Sequence, residues 1–225
     1  MKKAALLLTA LVLFAIQSTR AADTNELIKE TQKLVQEPKK MLLVWWIPTE
    51  FWTLTFKNDP RITDAQRTDL TTTLDKYTVI VVFGGDFGPM ADLKARSREE
   101  IIQNTELRVN DKIIPLLDPK DISPSAINFV SLMKPLLANM MGTMGQGLEF
   151  LLYSNDQNGA KLIDPIKPGG FTYTAFGNKF AWRLPLGSLL PPKMDSATKE
   201  EFPGNYLFNP FTGSKLVLKD SPVKN

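Results

Sequence analysis

Three short, dense apolar runs constrain the fold of this chain more than any other feature. They are residues 41–47 (MLLVWWI), 77–83 (YTVIVVF) and 148–153 (LEFLLY). Runs of this length, rich in β-branched and aromatic residues, predict buried strands. Trp45 and Trp46 are adjacent, so in a strand they point to opposite sides and the first run is buried on both faces. The third run closes the apolar stretch 129–153, which holds four of the eight methionines. Just before it, Ser123 can cap a helix beginning at Pro124. Ile127, Val130, Met133, Leu137, Met140 and Met141 recur at helical spacing as one inner face. Pro135 removes a helical hydrogen bond and predicts a kink or two shorter helices. Gly142, Gly145 and Gly147 end the helix before the strand.

The remaining pattern fills in around these runs. Residues 23–36 predict an amphipathic helix with Asp23 and Glu26 as a capping box. Further helices are expected over 49–56, 63–76 and 97–103, the last capped by Ser97 and Glu100. Asn110-Asp111 and Gly177-Asn178 are hairpin signals, between strands 107–109 and 112–116 and between strands 171–176 and 179–184. Residues 84–89 (GGDFGP) predict a turn, and 90–95 a further strand. Hairpins favour antiparallel pairing. The expected fold is therefore α+β, a mainly antiparallel β-sandwich or curled sheet with inserted helices, over residues 22–193.

The chain has no cysteine and no histidine. Disulfides, thiolate chemistry, imidazole metal ligands and Ser-His-Asp triads are thereby excluded. Catalysis would rest on carboxylates, lysine, tyrosine or serine, and a glycan hydrolase would draw its carboxylate pair from Glu50, Asp86, Asp92 and Glu149. The letters Asp86-Phe87-Gly88 lack the lysine-bearing phosphate loop that nucleotide binding needs. The loop starting at Ser154 lacks a calcium loop's glutamate, because Pro165 stands at its twelfth position. Met140, Met141 and Met144 could offer thioethers to Cu(I). Met140 and Met141 continue the helical stripe, whereas Met144 lies in the turn and is expected to be the exposed one. Three tryptophans within eight residues suggest either core or a stacking platform. Trp46, Trp52 and Met144 are the candidate partner or ligand surface.

Residues 1–21 read as a secretory signal peptide: Lys2 and Lys3, an apolar run over 4–16, and Thr19-Arg20-Ala21 as a small-x-small cleavage site. That apolar run is short for a bilayer span. The leader carries three of the 27 basic residues and no acid, so 24 basic and 24 acidic residues remain after cleavage. A balanced charge gives no basis for a nucleic-acid partner. The expected location is the periplasm, with no stable membrane anchor after cleavage and no cofactor.

Residues 44–52 (VWWIPTEFW), 133–146 (MKPLLANMMGTMGQ), 182–193 (WRLPLGSLLPPK) and 204–216 (GNYLFNPFTGSKL) together resemble a group of uncharacterised secreted bacterial proteins. The resemblance implies secretion and brings no activity with it. Within the last segment, Asn209-Pro210-Phe211-Thr212-Gly213 followed by Leu216 is similar to a zinc-ribbon knuckle of the form CPxCGxxL. Asn209 and Thr212 stand where its cysteines would be, and Asp195 and Thr198 repeat the spacing upstream. The resemblance implies that residues 194–225 form a zinc-ribbon-like hairpin and tail without metal ligands. An ordinary hairpin with Asn-Pro and Thr-Gly turns is the alternative. The expected function is a non-enzymatic periplasmic binding or protein-interaction module, whose partner is a protein or another envelope component. A carboxylate-dependent hydrolase of envelope glycans and a methionine-based Cu(I)-binding protein are the alternatives.

Overall fold

The computed structural model describes residues 24–89 and 92–219. In chain order the first half comprises α1 (Thr24–Thr31), β1 (Gln32–Glu37), β2 (Lys40–Ile47), α2 (Thr49–Phe56), α3 (Asp64–Leu74), β3 (Tyr77–Phe87), β4 (Leu93–Ala95), α4 (Arg98–Gln103), β5 (Thr105–Val109) and β6 (Lys112–Ile114). The second half comprises α5 (Pro124–Met140), β7 (Glu149–Ser154), β8 (Asp156–Gln157), β9 (Ala160–Lys161), β10 (Gly169–Ala175), β11 (Asn178–Leu184), β12 (Lys193–Asp195), β13 (Glu201–Phe202) and β14 (Leu216–Leu218). The fold is α+β, and its strand pairings are antiparallel, as the hairpin signals led us to expect.

The three apolar runs become neighbouring strands. β3 lies between β2 and β7, with β1 outside β2 and β4 pairing the far end of β3. A second sheet runs β11-β10-β5-β6. The two sheets meet through Trp46, edge-on to Phe171 at 4.9 Å, and through Tyr153, whose hydroxyl lies 3.1 Å from that of Tyr173. The opposite face of the first sheet carries the helices: Trp45 packs edge-on against Phe51 of α2 at 5.3 Å. Tyr77, on that same side, accepts a hydrogen bond from the Ser123 amide at the start of α5. The alternation of Trp45 and Trp46 thus sets a helix layer on one side of the central strands and a second sheet on the other. This is why those strands are apolar on both faces. Fully burying an aromatic or aliphatic side chain contributes about 1.5–3 kcal/mol, and the core formed this way is continuous.

Local signals set several element ends as expected. Ser97 and Glu100 form the capping box of α4, and Ser123 caps α5 with Pro124 in its first turn. Asn110 and Asp111 both take positive φ, 48° and 62°, the geometry of a type I′ hairpin. The Asp23 cap lies outside the described residues.

Four expectations are corrected. The first helix stops at Thr31 rather than Gln36, because residues 32–37 pair with β2 as its edge strand. Tertiary pairing here overrides a helical pattern. The helix from Pro124 continues through Pro135 to Met140 as one element, so the expected division into two shorter helices is not found. The segment Gly84-Gly85-Asp86-Phe87 is the end of β3, paired to β2 and β4, and not a turn. A side chain at Gly84 would stand 3.0 Å from the Phe176 ring, so glycine admits the second sheet at that point. Finally, the second hairpin turns at Phe176-Gly177, one residue earlier than its composition suggests, with Ala175 opposite Asn178. Phe176 accepts a φ of 48° there, and its ring lies under the Arg96 guanidinium, 4.5 Å from the ring centre.

Candidate functional site

The sequence candidates are dispersed by the fold. Trp46 and Trp52 are 2% and 3% exposed, so neither belongs to a partner surface. Trp46 fills the space between the sheets. Trp52 is enclosed by Phe51, Phe56 and Phe129, at the contact of α2 with α5. Large rings bury more apolar area than any other side chain, and the core takes them first. Met144 is half-buried against the core, whereas Met140 at the last turn of α5 is 77% exposed. The expectation for these two is reversed. The inner face of α5 is carried by Ala126, Met133 and Leu137, continued by Met141 just past its end, so Met140 falls outside it.

Three of the four carboxylates, Glu50, Asp86 and Glu149, are tied into ion pairs. Glu149 takes ion pairs from Arg98 at 2.7 Å and Lys134 at 3.0 Å, and Asp86 takes one from Arg96 at 2.8 Å. Asp92 is exposed beside Gly88. Glu50 is linked instead to a residue the sequence did not suggest. Lys161 of β9 reaches Glu50 at 3.5 Å and Asp75, after the end of α3, at 2.8 Å. Burial raises the Glu50 pKa above its ordinary value, and the neighbouring Lys161 only partly offsets this. One hollow of about 710 Å³, between residues 36–39 and 87–89, is lined, among the described residues, by one carboxylate, Glu37. Another of about 280 Å³ beside β6 likewise has one, Asp156.

The most elaborate polar construction lies in the C-terminal sheet, ordered β13-β12-β14. Asp195 ends β12 and is 1% exposed. Its Oδ1 accepts the backbone N–H groups of Ala197 at 2.9 Å and Thr198 at 3.3 Å. Asn209 begins the next turn and repeats the pattern: its Oδ1 accepts from Phe211 at 2.9 Å and Thr212 at 3.3 Å. The two side chains then meet, with Asn209 Nδ2 donating to Asp195 Oδ2 at 2.6 Å. Thr212 donates to the same oxygen at 3.2 Å, and Ser214 also donates to it. The Ser214 and Asn209 hydrogen bonds, followed by the Ala197 amide, hold the Asp195 carboxyl well below the usual carboxylate range. Three of the four positions that matched a ribbon's ligands, Asp195, Asn209 and Thr212, are joined by side-chain hydrogen bonds. The fourth, Thr198, joins through its backbone. Ser214 completes the set without having been singled out.

This network fixes a turn that projects apolar side chains into water. Among the described residues, six of the thirteen exposed large hydrophobics fall between 206 and 218. Phe211, at the tip, is 86% exposed, with Leu207 at 65% and Phe208 at 56%. Gly213 takes φ 74° and its N–H returns to the Asn209 carbonyl at 2.8 Å, closing the turn behind Phe211. Phe208 is bridged to Lys215, and Leu216 anchors the strand in the interior. The sheet is joined to the rest of the molecule at residues 187–188. Glu30 of α1 accepts the Gly187 and Ser188 amides there, and the Gly204 amide bonds to the Gly187 carbonyl. The sequence signal for this surface was a cluster of aromatic residues around turn residues. Apolar side chains placed in a turn have few core neighbours to reach.

Compared with family models, with curated proteins and with solved structures, the chain finds no match in any of the three.

Proposed function

We propose that the protein is an exported, non-enzymatic docking module that engages another component of the cell envelope through its C-terminal knuckle. The observation that carries this reading is Phe211, 86% exposed at the tip of a turn held by the Asp195–Asn209 network. Apolar area left in water forgoes about 25 cal/mol per Å², and contiguous exposed apolar patches above a few hundred Å² mark interaction surfaces. A turn already fixed by hydrogen bonds also loses little entropy when it is covered. Export is part of the same reading and rests on the leader pattern over residues 1–21.

The hydrolase alternative draws on one observation, the burial that raises the Glu50 pKa towards that of a general acid. Lys161 stands between Glu50 and Asp75 as their shared counter-ion, which suits a structural tie. The Cu(I) alternative is weakened by the divergence of Met140, which is exposed, from Met144, which packs on the core.

The test is a photo-crosslinking phenylalanine derivative at position 211, with Ile113, 55% exposed on β6, as the control position. In the native cell a discrete adduct from 211 and none from 113 is expected. Equal labelling from both positions, or none from either, overturns the docking reading.

A further inference from the structure

The second sheet ends in a strand with one open side. β11 pairs with β10, and among the described residues no backbone hydrogen bond reaches it from the other side. Such an edge offers a row of N–H and C=O groups to an extended chain. The side chains of β11 give that edge a sign. Lys179, Ala181 and Arg183 alternate along its exposed face, while Phe180, Trp182 and Leu184 face inward. The two cations stand opposite Thr174 and Gly170 of β10, which carry no charge. Among the described residues neither cation has an ion pair or a side-chain hydrogen bond. Residues 165–194 contain four basic residues and no acidic one. The acids that flank this stretch are engaged, Asp164 with Lys167 at 3.0 Å and Asp195 within its own buried network. Those on the adjoining elements are engaged too. Glu106 of β5 pairs with Arg108 at 2.5 Å, Glu37 of β1 with Lys40 at 3.3 Å and Glu26 of α1 with Lys29 at 2.8 Å, while Glu30 holds the Gly187 and Ser188 amides. A further cation, Lys33 of β1, lies over the Trp182 ring at 5.8 Å.

Charged side chains on an edge strand guard it against unwanted pairing. Here the guard has one sign, so it selects as well as excludes. If two copies paired antiparallel along the full strand, Ala181 would face Ala181 and Lys179 of each copy would face Arg183 of the other. Like charges directly opposite destabilise a ladder. An acidic strand meets the reverse. Carboxylates four residues apart set one acid against each cation, and a small residue between them faces Ala181. The alternate side chains of that strand extend the inward row of half-buried Phe180 and Leu184. We infer that β11 receives an extended acidic segment of another protein as an added strand, in the order acid, apolar, small, apolar, acid. Main-chain hydrogen bonds hold such a strand, and the side chains at alternate positions choose it. This surface shares no residue with the knuckle, and the inference does not depend on what Phe211 contacts.

The test is titration of the full chain with three peptides that match β11 in length: TEVTVET, its basic counterpart TKVTVKT, and TEPTPET. The last keeps the acids but cannot join a ladder, because proline has no N–H to donate. TEVTVET is expected to bind about tenfold more tightly than TKVTVKT, from two cross-strand charge pairs that attract in one case and repel in the other. It should also bind more tightly than TEPTPET, weaken at high salt, and slow amide exchange at the β11 N–H groups that point away from β10. The double variant Lys179→Glu, Arg183→Glu changes exposed positions only. It should keep the wild-type melting temperature and prefer TKVTVKT. Absence of TEVTVET binding, or an unchanged preference in the variant, overturns the inference. Equal binding of TEPTPET overturns it as well, since the cations would then attract any anion without pairing a strand. Protection gained in β6, at the other end of the sheet, in place of β11 overturns the assignment of the edge.

Discussion

Asp195 and Asn209 hold the same place in two successive turns, and the Asn209 amide donates to the Asp195 carboxylate at 2.6 Å. Each side chain also accepts the two backbone N–H groups that follow it in its own turn. The turns are thereby fastened to themselves and to one another through a single pair. On our reading of the ribbon resemblance, this is what a metal would otherwise do: gather two turns at one point. An oxidising compartment makes free metal-binding thiols a liability, and oxygen and amide groups are indifferent to it.

Removing the Asp195 carboxylate should open both turns while leaving the core intact. In Asp195→Ala, amide exchange at Ala197, Thr198, Phe211 and Thr212 is expected to speed up, with the central strand β3 unchanged. The wild-type carboxyl has its pKa held down by the fold. Its contribution is therefore full above the unfolded value of about 3.9 and is lost only as pH falls through the lower folded value. The same four amides should stay protected at pH 4 and lose protection in more acidic solution. Loss of protection already at pH 5 would contradict this account.

Lys161 should matter more than either acid it serves. Lys161→Met leaves Glu50 and Asp75 facing each other with their shared counter-ion gone. The expected loss is about 1–3 kcal/mol, less than for a fully buried pair because the cluster is partly exposed. Glu50→Gln should cost little at neutral pH or raise the melting temperature. A buried acid with a raised pKa stabilises most below the unfolded pKa, and that contribution fades as pH rises through the folded value. The gap between variant and wild type should therefore narrow towards pH 4. Urea unfolding at three pH values measures both effects.

Trp46 and Gly84 should behave as packing residues. Trp46→Ala is expected to cost about 3–5 kcal/mol by emptying the space between the sheets. Gly84→Val should also destabilise, since its new side chain meets Phe176 and the Arg96 chain. If Trp46→Ala left urea stability unchanged, the placement of that ring between the sheets would be wrong.

Met140 and Met144 separate by the same logic. Met140→Ala should change stability by less than about 0.5 kcal/mol, as for other exposed sites. Met144→Ala should cost about 1–3 kcal/mol, a partly buried fraction of the core value. Cu(I) titration of both variants checks the thioether alternative, which requires tight wild-type binding that either change weakens.

The leader has its own test. Intact mass of the protein recovered from a periplasmic fraction should begin at Ala22. Recovery only in membranes with residues 1–21 attached would count against export.

The sequence by itself determined the elements whose cause is local. The capping residues of α4 and α5 were legible, as were the Asn110-Asp111 turn and the three apolar strands. Each depends on side chains within a few positions of the backbone they serve. It also excluded thiol and imidazole chemistry outright, because those atoms are not in the chain. Tertiary structure decided the rest. Residues 32–37 are a strand because β2 offers an edge to pair with, and residues 84–87 continue β3 because β2 and β4 pair with them, with glycine at 84 where Phe176 approaches from the other sheet. The carboxylate grouping around Lys161 was invisible because its three members come from a helix, a helix end and a distant hairpin. Aromatic content could not separate buried Trp52 from exposed Phe211 either. Exposure depends on which neighbours the folded chain supplies, and α5 covers the first, while the closed turn at Gly213 holds the second out in solvent.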